Sequence, residues 1–205
     1  MKTSISVCVC AALAGSACTT GEGTGWVKSD KLTIQDCWNG QFDLKPTFFG
    51  ANPYREELLI RVQRGDSIEE LSDGLTVLVR DVKQIRGSSG SASQLGSDVP
   101  IGLPPGVTPP GTAPAGGPIP QVGLSLYLHD TCHAQNGTVY SVGGSINFSS
   151  LFSGDIAEPN ADDRLTEANF SADFTDPRDS SGATSQVTGY FRFYFQRGQP
   201  AQPFP

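Results

Sequence analysis

The stretch Gly189–Phe195, GYFRFYF, constrains the fold more than any other part of the chain. Phe191, Phe193 and Phe195 alternate with Tyr190, Arg192 and Tyr194. A period of two places successive side chains on opposite faces of a strand. Large side chains on both faces place this strand, read as Ser185–Gln196, inside a sheet rather than at its rim.

The same period recurs upstream. Leu58, Ile60 and Val62 share one face of a predicted strand Glu56–Arg64, and Leu124, Leu126 and Leu128 share one face of Gln121–His129. Ala168, Phe170, Ala172 and Phe174 point inward from Arg164–Phe174. Further strands are predicted over Lys31–Trp38, Gln41–Phe49, Leu75–Ile85 and Thr138–Phe148. Asn39-Gly40 reads as the hairpin turn between the first two, Pro46 as the mark of an edge, and Gly143-Gly144 as a bulge. In Thr138–Phe148 the expectation is that Tyr140, Val142, Ile146 and Phe148 share a face. Helix signals are few, because 24 glycines and 15 prolines punctuate 205 residues; a single turn over Asp66–Leu71 is the one candidate. The expected fold is all-β: an antiparallel β-sandwich or partly open barrel of about eight strands.

Composition shifts at two places. Residues 87–120, with SSGSAS and PIGLPPGVTPPGTAPAGGPIP, carry too little apolar side chain to offset ordering entropy and read as a disordered Pro/Gly-rich insert. At the start, Ile5–Ala14 is apolar, Gly15, Ser16 and Ala17 are small, and Cys18 follows. Residues 1–17 therefore read as a signal peptide, the apolar run being shorter than the roughly 20 residues of a membrane span. Residues 18–25 read as a flexible tether and 26–205 as a single β-rich domain containing the insert.

A cysteine directly behind a signal resembles a bacterial lipoprotein site. That resemblance implies a diacylglyceryl group on the Cys18 thiol, with palmitate among the acyl chains. Thr19 in place of Asp implies the outer membrane. Gly15-Ser16-Ala17 would equally serve ordinary signal peptidase, which leaves a secreted or periplasmic protein as the alternative.

Loss of Lys2 with the signal takes the formal charge from −7 to −8. Such a surface repels phosphate backbones, and nucleic acid is excluded as a partner class. Cys8 and Cys10 belong to the signal, so Cys37 and Cys132 have one possible pairing in an oxidising compartment; two unpaired buried thiols are the other reading.

No catalytic set emerges. There is no Gly-x-Ser-x-Gly, and a hydrolase triad would have to join His129 or His133 to an unidentified serine. His129 and His133 are also weak metal candidates, and zinc would need further ligands. Asp155, Glu158, Asn160, Asp162 and Asp163, followed by Asp173, Asp176 and Asp179, form acidic loops that could supply oxygen ligands to Ca2+. Tyr127, Tyr190, Arg192 and Tyr194 read either as a face for glycan or peptide contact or as packing against a second layer. The triplets at Asn136, Asn147 and Asn169 match glycosylation acceptors and carry no meaning in a bacterial lipoprotein.

Cys18 with its Gly/Thr tether, the segments ELLIRVQRG and SLYLHDTC, and the closing GYFRFYFQRGQPAQPFP resemble predicted lipoproteins of the myxobacterial cell envelope. The resemblance implies an anchored envelope protein and assigns no catalytic residue. The expected function is thus a membrane-anchored, non-enzymatic cell-envelope lipoprotein, acting as a structural or ligand/protein-binding β module. Its partners would be the membrane through the lipid and an envelope protein or glycan. A secreted calcium-dependent binding domain and an exported hydrolase are the alternatives.

Overall fold

The computed structural model describes residues 23–65, 72–88, 90–108, 119–133 and 137–196. The proposed signal, Cys18 and the Asp66–Leu71 turn lie outside them.

The chain is all-β. Ten strands form one mixed sheet curled into a half-barrel, in the order β2-β1-β10-β9-β8-β6-β7-β5-β4-β3. They span Gly23–Ile34 (β1), Trp38–Leu44 (β2), Phe48–Tyr54 (β3), Glu57–Gln63 (β4), Asp73–Val79 (β5), Asp98–Gly102 (β6), Val122–Leu128 (β7), Thr138–Ser150 (β8), Leu165–Thr175 (β9) and Thr184–Tyr194 (β10). One five-residue helix, Val82–Arg86 (α1), follows β5. A 3-10 turn, Asp162–Arg164, precedes β9.

Alternation builds the inner face. Leu58, Ile60 and Val62 of β4, Leu75, Val77 and Val79 of β5, and Leu124, Leu126 and Leu128 of β7 are fully buried there. Ala168, Phe170, Ala172 and Phe174 of β9 and Phe191 and Phe193 of β10 are buried as their spacing predicts, with Ala168 opposite Phe191. The sheet curls until its β3 end approaches β1 and β10. Phe49 stacks on Phe193 with ring centroids 6.0 Å apart. Each such buried ring contributes about 1.5–3 kcal/mol.

Several expectations are corrected. The presumed tether ends early, because Gly23, Thr24 and Gly25 already pair with Phe193, Arg192 and Phe191. Those glycines are packing devices: a Cβ on Gly23 would lie 2.7 Å from both Phe193 Cβ and Phe49 Cδ2. Asn39-Gly40 is not a turn but part of β2, paired with Thr33 and Leu32. The turn falls at residues 35–37, where Asp36 adopts a left-handed φ of 58°. The strand predicted to end at Phe49 continues: Gly50-Ala51-Asn52-Pro53 runs through β3, where an edge position tolerates the proline.

Leu75–Ile85 is not one strand. Asp81 caps α1 by accepting a 2.8 Å hydrogen bond from the Gln84 N–H, and Val82 and Ile85 pack inward three residues apart. In β8, a register shift between Ser141 and Gly143 changes the face parity. Ile146 and Phe148 are buried, Val142 is exposed and Tyr140 sits on the outer face.

The Pro/Gly-rich segment departs furthest from expectation. Residues 98–102, read as part of a disordered insert, form β6, which pairs antiparallel with β8 and parallel with β7. Backbone pairing and the burial of Val99 and Ile101 supply what composition did not suggest. Two glycine–proline contacts then lay the flanking chain on the outer face. Pro120 lies over Gly102, 2.7 Å from where a Cβ would sit, and Pro104 lies over Gly123 at 3.0 Å from the corresponding point.

Candidate functional site

The outer faces of β3, β4, β5 and β7 together with the segment after β6 enclose a groove of about 360 Å³. Its floor is Leu59 of β4, Thr76 and Leu78 of β5, and Gly123 and Ser125 of β7. These residues stand out of phase with the core residues of the same strands, so a second apolar surface backs the first. One wall is Asn52 and Tyr54, the other Pro104, Pro105, Val107 and Tyr140. Gly123 leaves the space that Pro104 fills, which sets the height of the proline wall. Tyr54 is 63% exposed, with the Arg55 guanidinium 5.3 Å from its ring centroid.

The groove has the size and character of a small-ligand site: apolar walls with a few fixed polar groups. Its lining offers hydroxyls from Thr76, Ser125 and the tyrosines, the Asn52 amide and one carboxylate, Glu57. It has neither a histidine nor a cysteine. Beside it Tyr127 donates a 3.0 Å hydrogen bond to Gln63 Oε1, and burial pushes its phenol up to about 12.

His129–His133 forms a turn organised by Asp73, which is 1% exposed. Asp73 Oδ1 accepts from the N–H groups of Asp130 and Thr131 at 3.1 and 3.0 Å, and Oδ2 from the Thr131 hydroxyl at 2.5 Å. Cys132 is bonded to Cys37, with Cα atoms 5.8 Å apart, and so offers no thiolate to a metal. His129 packs against the Tyr127 ring at 5.0 Å, and His133 Nδ1 lies 3.3 Å from the Asp130 carbonyl oxygen.

The acidic loop is tied up in its own turns. Asp155 accepts from the Ala157 N–H at 2.8 Å, and Glu158 from the Asn160 N–H and the Ser153 hydroxyl, both at 3.1 Å. Asp162 opens the 3-10 turn, its N–H donating to Asn160 Oδ1. Arg86 pairs with Asp163 and, with help from Asn160, holds its carboxyl below the ordinary value. Among the described residues, no group of three or more His, Cys, Asp or Glu side chains is placed to hold a metal ion.

The aromatic set divides. Tyr127 lies beside the groove, whereas Tyr190, Arg192 and Tyr194 lie on the outer face of β10. The groove itself could not be read from the chain, since it joins six segments through sheet curvature and a proline contact. No protein-family model matches the chain, and no curated protein or solved structure is significantly similar to it. Among the described residues, no helix is long and apolar enough to cross a membrane.

Proposed function

We propose that the chain is an exported, non-enzymatic binding module of the bacterial cell envelope, anchored through an acylated Cys18, with the proline-walled groove as its ligand site. The groove carries the reading. It combines an apolar floor with a few hydroxyls and a single carboxylate, which suits an apolar side chain or a small amphiphile from an envelope partner. The Cys37–Cys132 bond fits an oxidising compartment, and the signal-like start ending at Cys18 fits attachment at the outer membrane. On this reading the half-barrel serves as a partly open barrel that is used from outside rather than from its lumen.

An environment-sensitive apolar dye tests the groove. Saturable one-to-one binding, lost in Leu78→Arg at unchanged melting temperature, is the expected result. No saturable binding, or binding indifferent to Leu78→Arg, overturns it. Mass analysis of the membrane-extracted protein tests the anchor: an acylated Cys18 is expected, and release of Cys18→Ser into the soluble fraction should accompany it.

A further inference from the structure

On the flank away from the groove, five side chains stand in one row across five neighbouring strands. Cross-strand pairing sets Asp98 opposite Asn147, Asn147 opposite Asn169, Asn169 opposite Tyr190, and Tyr190 opposite Trp26. At a strand spacing of about 4.8 Å the row is about 19 Å long. It runs from a carboxylate through two amides to two adjacent aromatic rings.

The groups in the row are fixed from beneath and beside. Asn147 Nδ2 donates to Asp98 Oδ1 at 3.2 Å. The Tyr190 hydroxyl donates to Glu167 Oε1 at 2.9 Å, and Arg192 stands 3.5 Å from the other oxygen of that carboxylate. Trp26 is 37% exposed, and the Lys28 ammonium lies 5.5 Å from its ring centroid. Such a surface contact is worth about 0.5–1 kcal/mol and can be exchanged for a ligand. Next to Trp26, where β1 bulges away from β2, is a hollow of about 310 Å³ lined by polar residues, among them Lys28, Asp30, Gln186 and Thr188.

Charge narrows the partner. Within the row and the hollow, Asp30 and Asp98 are matched by Lys28 and Lys31, while beside them Asp43, Glu167 and Asp173 stand against Arg192, in a chain whose formal charge is −7. A face with no excess of positive charge on an acidic protein disfavours polyanions. Flat rings for the apolar face of a pyranose, with amides and carboxylates on either side for its hydroxyls, fit an uncharged polyhydroxyl chain.

We propose that this outer face of β6, β8, β9, β10 and β1 binds an uncharged glycan, with the sugar stacked on Trp26 and Tyr190 and hydrogen-bonded by Asn169 and Asn147. The site is independent of the groove.

Titration with uncharged hexasaccharides of glucose, N-acetylglucosamine and mannose, with polygalacturonate as the anionic control, tests it by tryptophan fluorescence and calorimetry. Trp38, the second tryptophan, packs against the core, so a binding signal reports Trp26. The expected result is saturable binding of at least one neutral glycan. Trp26→Ala and Asn169→Ala should each raise Kd tenfold or more, while Lys83→Ala, far from the row, leaves it unchanged. Calorimetry carries the comparison for Trp26→Ala, and a matched melting curve for each variant separates lost binding from lost fold. Absence of neutral-glycan binding at millimolar concentration, equal binding of polygalacturonate, or indifference to both substitutions overturns the proposal.

Discussion

The buried carboxylate of Asp176, at the end of β9, accepts a 2.8 Å hydrogen bond from the backbone N–H of Gln35 in the β1–β2 turn. Arg178 closes on the same carboxylate with its Nε at 3.0 Å and Nη2 at 2.8 Å. Two loops from opposite ends of the chain are thereby locked at one end of the sheet. Asp176→Ala removes the acceptor of the Gln35 N–H and the carboxylate that Arg178 closes on, and should cost about 1–3 kcal/mol in urea unfolding.

The same carboxylate sets an acid limit. Burial alone would raise its pKa, but hydrogen bonds from Arg178 and Gln35 prevail and hold it below the ordinary 3.8. A group depressed in the folded state binds its proton more readily when unfolded. Its contribution is therefore complete above about pH 4 and is lost as pH falls through the folded value. Urea midpoints measured from pH 6 to pH 2 should fall less steeply in Asp176→Ala than in the unmodified protein.

Tyr127 sets an alkaline limit of the opposite sign. Its neutral phenol is favoured by burial, with a folded value of about 12 against an ordinary 10.0. That stabilisation is whole below pH 10 and disappears as pH rises toward 12. Absorbance at the phenolate band should show a late step that Tyr127→Phe removes.

The Cys37–Cys132 bond closes a sequence separation of 95 residues. The chain-entropy model gives about 4–5 kcal/mol for a loop of that size, an upper figure. A Cys37→Ser/Cys132→Ser double variant should melt well below the oxidised protein, and added reductant should shift the melting of the oxidised form alone.

Glycines separate packing from mere flexibility. Gly23→Ala places a methyl 2.7 Å from Phe49 and Phe193 and should cost about 1–3 kcal/mol. Gly40→Ala, with nothing within 4 Å, should stay within about 0.5 kcal/mol of the parent. Equal effects from the two would remove close packing as the reason for Gly23.

These glycines show where sequence reading succeeds and stops. Phe191, Phe193, Ala168 and Phe170 were legible because a strand writes its burial directly as a period of two. Gly23 and Gly25 read as a tether because a glycine carries no record of the ring that fills its empty side; that ring, Phe49, arrives from the far edge of the sheet. Residues 98–108 read as disordered because their order comes from partners, β7, β8 and Gly123, rather than from their own apolar content. Tyr140 changed faces through a single bulge between Ser141 and Gly143, and with it went one wall of the groove. Both candidate sites are cross-strand objects, so their members acquire meaning only once register is known.

The pairing of β1 with β10 has a consequence in time. Strand β1 is made first among the ten, and its inner neighbour β10 is made last. Until β10 emerges, β1 can find β2 alone, and Phe49 lacks the ring it stacks on. A sheet closed by its two sequence extremes cannot finish while the chain is still being delivered, and long-range pairing of this kind is intrinsically slow. Strands β3 to β9 are neighbours without it, so the β2–β1 edge is the part of the sheet that must wait for the last strand.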